Sequence, residues 1–193
     1  MSFKWIKRFK LSFRECLVIF CIAMILLGLT RHIWKGFFQT QLGFMYLNGI
    51  IVDQDYHKAK LWFERSAKVG SPIGQNELGI LYLHGIGGEQ DYKEAMQLFE
   101  KSAEQGHMSA VNNLAWMYNN AKGVEESIGN QQKAFMLYQQ VAKMGNPTGQ
   151  FNLGWMYQEG IGVSQDLELA EYWYQKSANQ GYDSAIDALN EMN

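Results

Sequence analysis

Cysteine is almost missing from this chain of 193 residues. Cys16 and Cys21 both lie in one apolar stretch, so the remaining body can hold neither a disulfide framework nor a thiolate metal site. Proline is as scarce, occurring only at Pro72 and Pro147, so long helices are permitted almost throughout. No Asn-x-Ser/Thr acceptor is usable, because Asn146 is followed by proline. The histidines, His32, His57, His84 and His107, never pair at helical spacing, and no metalloprotease helix, nucleophile elbow, P-loop or dinucleotide fingerprint occurs. Gly85-Ile86-Gly87-Gly88 is rich in glycine but lacks the Lys-Ser/Thr that a phosphate loop requires. Glu125 and Glu126 are neighbours in an exposed insertion and are expected to be solvated rather than to work as an acid–base pair. His107, just past a helix end, is expected in solvent. Neither an enzyme, a metal site nor a bound cofactor is expected.

Positive charge is scarce too, once the first 38 residues are set aside. That head holds seven basic residues against Glu15 alone, whereas the rest holds ten basic and eighteen acidic residues, a net of −8. Such a body repels phosphates, so nucleic acid is not an expected partner. The head has its own logic. Residues 16–30 read CLVIFCIAMILLGLT, fifteen residues without a charge. At about 1.5 Å per residue they reach roughly 22 Å, short of a hydrocarbon core of about 30 Å. Phe3, Trp5, Ile6, Phe9 and Phe13 alternate with the basic residues of 1–15, a pattern suited to the membrane interface. Arg14 and Trp34 can flank the span on its two sides. A signal anchor or transmembrane helix over 16–30 is expected. The heavier positive charge before it keeps the N-terminus cytoplasmic and the body periplasmic, as a single-pass inner-membrane protein. Export after signal-peptide cleavage is the alternative, but Gly28-Leu29-Thr30 is a poor cleavage site.

What the sequence does have is internal repetition. QLGFMYLNG, ELGILYLHG, NLAWMYNNA and NLGWMYQEG are four versions of one segment, with leading leucines Leu42, Leu78, Leu114 and Leu153 at separations of 36, 36 and 39. Each is followed by a second segment marked by Ala59, Ala95, Ala134 or Ala170. A period in this range, made of two helical patterns, predicts an all-α solenoid preceded by one N-terminal hydrophobic helix. The repeats span 37–72, 73–108, 109–147 and 148–181, the third with three extra residues in its inner loop, and 182–193 form a polar capping helix. In the first helix of each repeat, Gly43, Gly79, Ala115 and Gly154 follow the leucine and predict close approach of a neighbouring helix. The second helix is expected to start from N-caps Asp55, Asp91, Asn130 and Asp166 and to end at Gly70, Gly106, Gly145 and Gly181.

The order of Leu-Gly, Tyr, a glycine-rich loop, Asp, Lys-Ala, an aromatic pair, Ser-Ala and a closing Gly resembles the Sel-1-like repeat, a relative of the tetratricopeptide repeat. Phe38 departs from it, standing where Gly74, Ala110 and Gly149 sit in later copies, as suits an end repeat. The resemblance implies a right-handed solenoid whose first helices line a concave groove, used by a non-enzymatic scaffold to bind partner proteins or peptide segments. The residues sharing that face form a ladder: Thr40-Phe44-Leu47, Asn76-Ile80-Leu83, Asn112-Trp116-Asn119 and Phe151-Trp155-Gln158. The expected protein-binding residues are Phe44, Asn76, Ile80, Asn112, Trp116, Asn119, Phe151, Trp155 and Gln158, with Trp116 and Trp155 as anchors. Met45, Leu81, Met117 and Met156, one residue on, are expected in the core, as are Trp62 and Trp173 at the positions of Leu98 and Leu137. A secreted or periplasmic enzyme, or enzyme inhibitor, with the repeats as framework is the alternative reading.

Overall fold

The computed structural model describes residues 31–192, all of whose regular elements are helices. Four pairs run α1 (Arg31–Asn48) with α2 (Tyr56–Lys68), α3 (Pro72–His84) with α4 (Tyr92–Glu104), α5 (Met108–Asn119) with α6 (Ile128–Lys143) and α7 (Pro147–Glu159) with α8 (Leu167–Ala178). A last helix, α9 (Asp183–Met192), packs on α8. It buries Ala185 and leaves Asp183, Asp187 and Glu191 in water. The stretch 16–30 lies outside the described residues, and among those described no helix is long and apolar enough to cross a membrane.

Local chemistry sets most helix ends. Asp55, Asp91 and Asp166 each accept the backbone N–H three residues on, at 2.9, 3.0 and 2.9 Å. Both prolines open a helix, where their missing N–H costs nothing, behind the capping side chains of Ser71 and Asn146. At the other ends, Gly70, Gly106, Gly145 and Gly181 take φ near +80 to +90°, and flanking N–H groups satisfy the last carbonyls, as in Gly70 to Ala67 at 2.9 Å and Ser71 to Ser66 at 3.1 Å. The third repeat corrects one expectation: Asn130 is not an N-cap. The chain absorbs its three extra residues by starting α6 early, so that α6 has 16 residues against 12 or 13 in the other second helices. Ser127 takes the N-cap position, while buried Asn130 accepts from Ser127 Oγ at 3.1 Å and donates to the Glu125 carbonyl at 2.7 Å.

Apolar side chains stack along the whole array. The second helices bury Ala59, Phe63, Ala95, Phe99, Ala134, Tyr138, Ala170 and Tyr174 against the first helices. The ring of Phe99 lies where a β-carbon on Gly79 would stand, 2.7 Å away, and Phe63 and Tyr174 face Gly43 and Gly154 alike. Close helix approach is thus the reason for glycine in mid-helix. Of the four methionine or leucine positions expected in the core, Leu81, Met117 and Met156 are buried and Met45 is half-buried beside the array's first edge. Trp62 and Trp173 are only half-buried, lying under the Arg65 guanidinium and the Lys176 ammonium, while Leu98 is buried.

Buried serines latch three of the four pairs. Ser66 Oγ donates to the Gly36 carbonyl at 2.8 Å, and Ser102 and Ser177 donate to those of Pro72 and Pro147 at 2.7 Å, always across thirty residues. In the third repeat Val141 replaces the serine. Ser102→Ala should cost about 1 kcal/mol. Urea midpoints compared with wild type measure it, and an unchanged midpoint would show that the latch adds nothing.

His107 corrects a second expectation. It occupies the N-cap of α5 but makes no capping bond, and its buried Nδ1 finds no hydrogen-bond partner among the described residues. Burial lowers its pKa from 6.5, so the charged form is disfavoured in the fold. Stability is therefore complete above the unfolded value and falls as the pH drops below it. Asn at this position, matching Asn146, should add about 1 kcal/mol by capping. It should also remove that share of the acid sensitivity, as melting temperatures at neutral and mildly acid pH would register.

Candidate functional site

Side-chain amides join the first helices of the second, third and fourth repeats. Asn113 Nδ2 donates to Asn76 Oδ1 at 3.0 Å, tying α5 to α3. Asn152 Nδ2 donates to Asn112 Oδ1 at 3.1 Å, tying α7 to α5. These bridges align the ladder positions of successive repeats on one face.

On that face the expected binding residues divide. Trp116 is 40% exposed. Trp155 is half-buried and packs on the cluster of Leu153 and Met156. Ile80 and Phe44 are half-buried against core clusters as well, Phe44 edge-on to Phe63 at 5.3 Å. Asn112 is half-buried with its carbonyl oxygen taken by Asn152, and Asn76 is only 2% exposed, its amide spent on neighbours. Phe151 turns towards the second helix, with its ring 5.5 Å from Tyr174 and 5.4 Å from Tyr182. Gln158 accepts the Tyr174 hydroxyl at 2.9 Å. Asn119 lines a polar hollow of about 490 Å³ with Tyr118, Asn120 and Glu126 at the third repeat's inner loop. Trp116 is thus the large side chain of the ladder left most open. Thr40, which opens the first rung, and Leu83, which closes the second, are buried.

Sequence reasoning passed over the neighbouring row. The residues just before the marker leucines are Gln41, Glu77, Asn113 and Asn152, three amides and one carboxylate. Asn76 Nδ2 donates to Glu77 Oε1 at 2.9 Å. Burial pushes the Glu77 carboxyl up from its ordinary value, and the bond from Asn76 partly opposes this. The polar run over four consecutive repeats was the signal available. Among the described residues, no three His, Cys, Asp or Glu side chains gather as a metal would require.

Stacked helix pairs with amide-bridged first helices place this chain among the α-solenoid repeat proteins, a class that offers extended surfaces for binding. The Sel1 repeat pattern matches four times, over residues 22–71, 72–107, 109–146 and 147–182, so the chain belongs to the Sel1 repeat family. Among solved structures, one similar to it is c5321, a protective antigen of uropathogenic Escherichia coli with an SLR fold, at 33% identity and a TM-score of 0.71. The match covers 83% of this chain but only 36% of that one. A Sel1 repeat protein from Oxalobacter formigenes matches at 27% identity and a TM-score of 0.75, over 86% of this chain and 67% of that one. Helicobacter pylori cysteine rich protein B, at 20% identity and a TM-score of 0.53 over 70% of this chain and 96% of its own, shares the fold. No curated protein matches.

Proposed function

We propose that the chain is a non-enzymatic adaptor, held at a bacterial inner membrane by its N-terminal segment, that captures an extended segment of a partner protein along the face of its first helices. The observation that carries this reading is Trp116. A large aromatic left 40% exposed mid-array, between amide-bridged helices and outside the three buried clusters, suits a binding anchor. Membership of the Sel1 repeat family supports protein partners, since such arrays serve as interaction scaffolds. The concave geometry and right-handed course implied by the resemblance would wrap that face around its ligand. The basic head followed by fifteen uncharged residues supports the tether, with the N-terminus in the cytoplasm and the repeats in the periplasm.

Topology has a direct test. Alkaline phosphatase fused after Asn193 should be active in a Gram-negative host and should stay in the membrane fraction after high-salt washing. Activity recovered in the soluble periplasm instead would show that the head is cleaved, and an inactive fusion would reverse the orientation.

A further inference from the structure

Glu77 is out of place for folding. The corresponding residues in the other repeats, Gln41, Asn113 and Asn152, are neutral amides, and two of them bridge to the neighbouring first helix. Glu77 takes part in the same network only as its terminus. Asn113 donates to Asn76 and Asn76 donates to Glu77 Oε1, and among the described residues no other hydrogen bond reaches that carboxylate. The one ion pair within 4.0 Å among the described residues joins Lys58 to Asp55, so no lysine or arginine of the described chain answers Glu77. A half-buried carboxylate without a cation costs desolvation that a glutamine would not. Folding gains nothing from the charge; a ligand would.

The surroundings fit one kind of ligand. Ile80 lies one turn along α3 from Glu77, on the same face. Across the amide bridge, Trp116 lies one turn along α5 from Asn113 and presents an open indole. An acceptor-only carboxylate on α3 and an exposed aromatic ring on the bridged helix α5 complement a charged group on an apolar stem. We propose that Glu77 makes this face selective for a segment carrying a lysine or arginine side chain, its charge against Glu77 and its stem along Ile80 and Trp116. The proposal rests on the reading of the face as the docking surface. It names the chemistry of the occupant rather than the occupant itself.

The test uses a random dodecapeptide display library selected on the full chain, followed by affinities of the enriched peptides. Selected peptides should share one basic residue, and replacing it by glutamine should weaken binding about tenfold or more. Glu77→Gln keeps the oxygen that Asn76 bonds, and it should weaken the same peptides to the same degree. Its melting temperature at neutral pH should match or exceed wild type, because the uncompensated charge is gone. Should Glu77→Gln fail to fold, the peptide-side replacement on wild type reads the same contact. Peptides lost with Trp116→Ala but indifferent to both the basic residue and Glu77→Gln would overturn the assignment of Glu77 and leave the docking face standing. If no selected peptide is weakened by Trp116→Ala, the docking face itself is wrong, and this inference falls with it.

Discussion

The full chain carrying Trp116→Ala is expected to fold like wild type and to lose its partner. The side chain belongs to none of the three buried clusters that stack along the array, and it is 40% exposed. Truncating it should change stability by no more than about 1 kcal/mol. In a binding face, loss of a central tryptophan costs about 2–4 kcal/mol, which is thirtyfold to a thousandfold in affinity. The two outcomes are separable by a melting curve and a binding isotherm on the same preparation. Trp155→Ala is a poorer probe, because that ring packs against Leu153 and Met156 and its removal will also loosen the fourth repeat. A Trp116 variant that melts far below wild type would mark the ring as structural.

The second large effect lies in the core. Phe99→Ala should cost about 3–5 kcal/mol, as for other fully buried rings. The ring is completely buried, fills the space left by Gly79, and joins α3, α4 and α5 through Leu83, Met96, Leu114 and Met117. A repeat array is held together by contacts between neighbours, so the loss falls on the junction of the second and third repeats. Unfolding followed by circular dichroism in urea should then split into two transitions, against a single one expected for wild type. A midpoint close to that of wild type would contradict this account of the core.

Much of this fold was legible in the sequence because its causes are local. The 36-residue period, the aspartates that cap the second helices and the glycines that end them each act within one turn of the chain, and the structure places them accordingly. Mid-helix glycine was legible for a different reason: it is unfavourable alone, so its recurrence at Gly43, Gly79 and Gly154 implied a neighbour. Failures occurred where register or tertiary packing decides. Three inserted residues can lengthen a loop or a helix, and pattern alone did not show that α6 would take them up and displace the cap from Asn130 to Ser127. His107 follows a helix end and reads as exposed, yet the packing of its neighbours buries Nδ1.

The candidate site was legible only in part. Helical spacing identified which residues share a face, but it could not tell which of them another helix would claim. Phe151 turns to Tyr174 and Tyr182, Gln158 to the Tyr174 hydroxyl, and Asn76 to Asn113, each a partner brought in from a different element. Trp116 escaped such a claim. Glu77 stood one position off the ladder being followed, and its meaning depends on no lysine or arginine among the described residues pairing with it, which no linear pattern displays.

The claim at the centre is that the partner lies along the first helices. An aryl-ketone photocrosslinking residue at Asn119, one turn from Trp116, can be compared in cells with one at Met136, exposed on α6. The account predicts an adduct of one defined mass from position 119, abolished by Trp116→Ala, and none from position 136. Crosslinking from 136 alone, or an adduct at 119 that persists without Trp116, would contradict it.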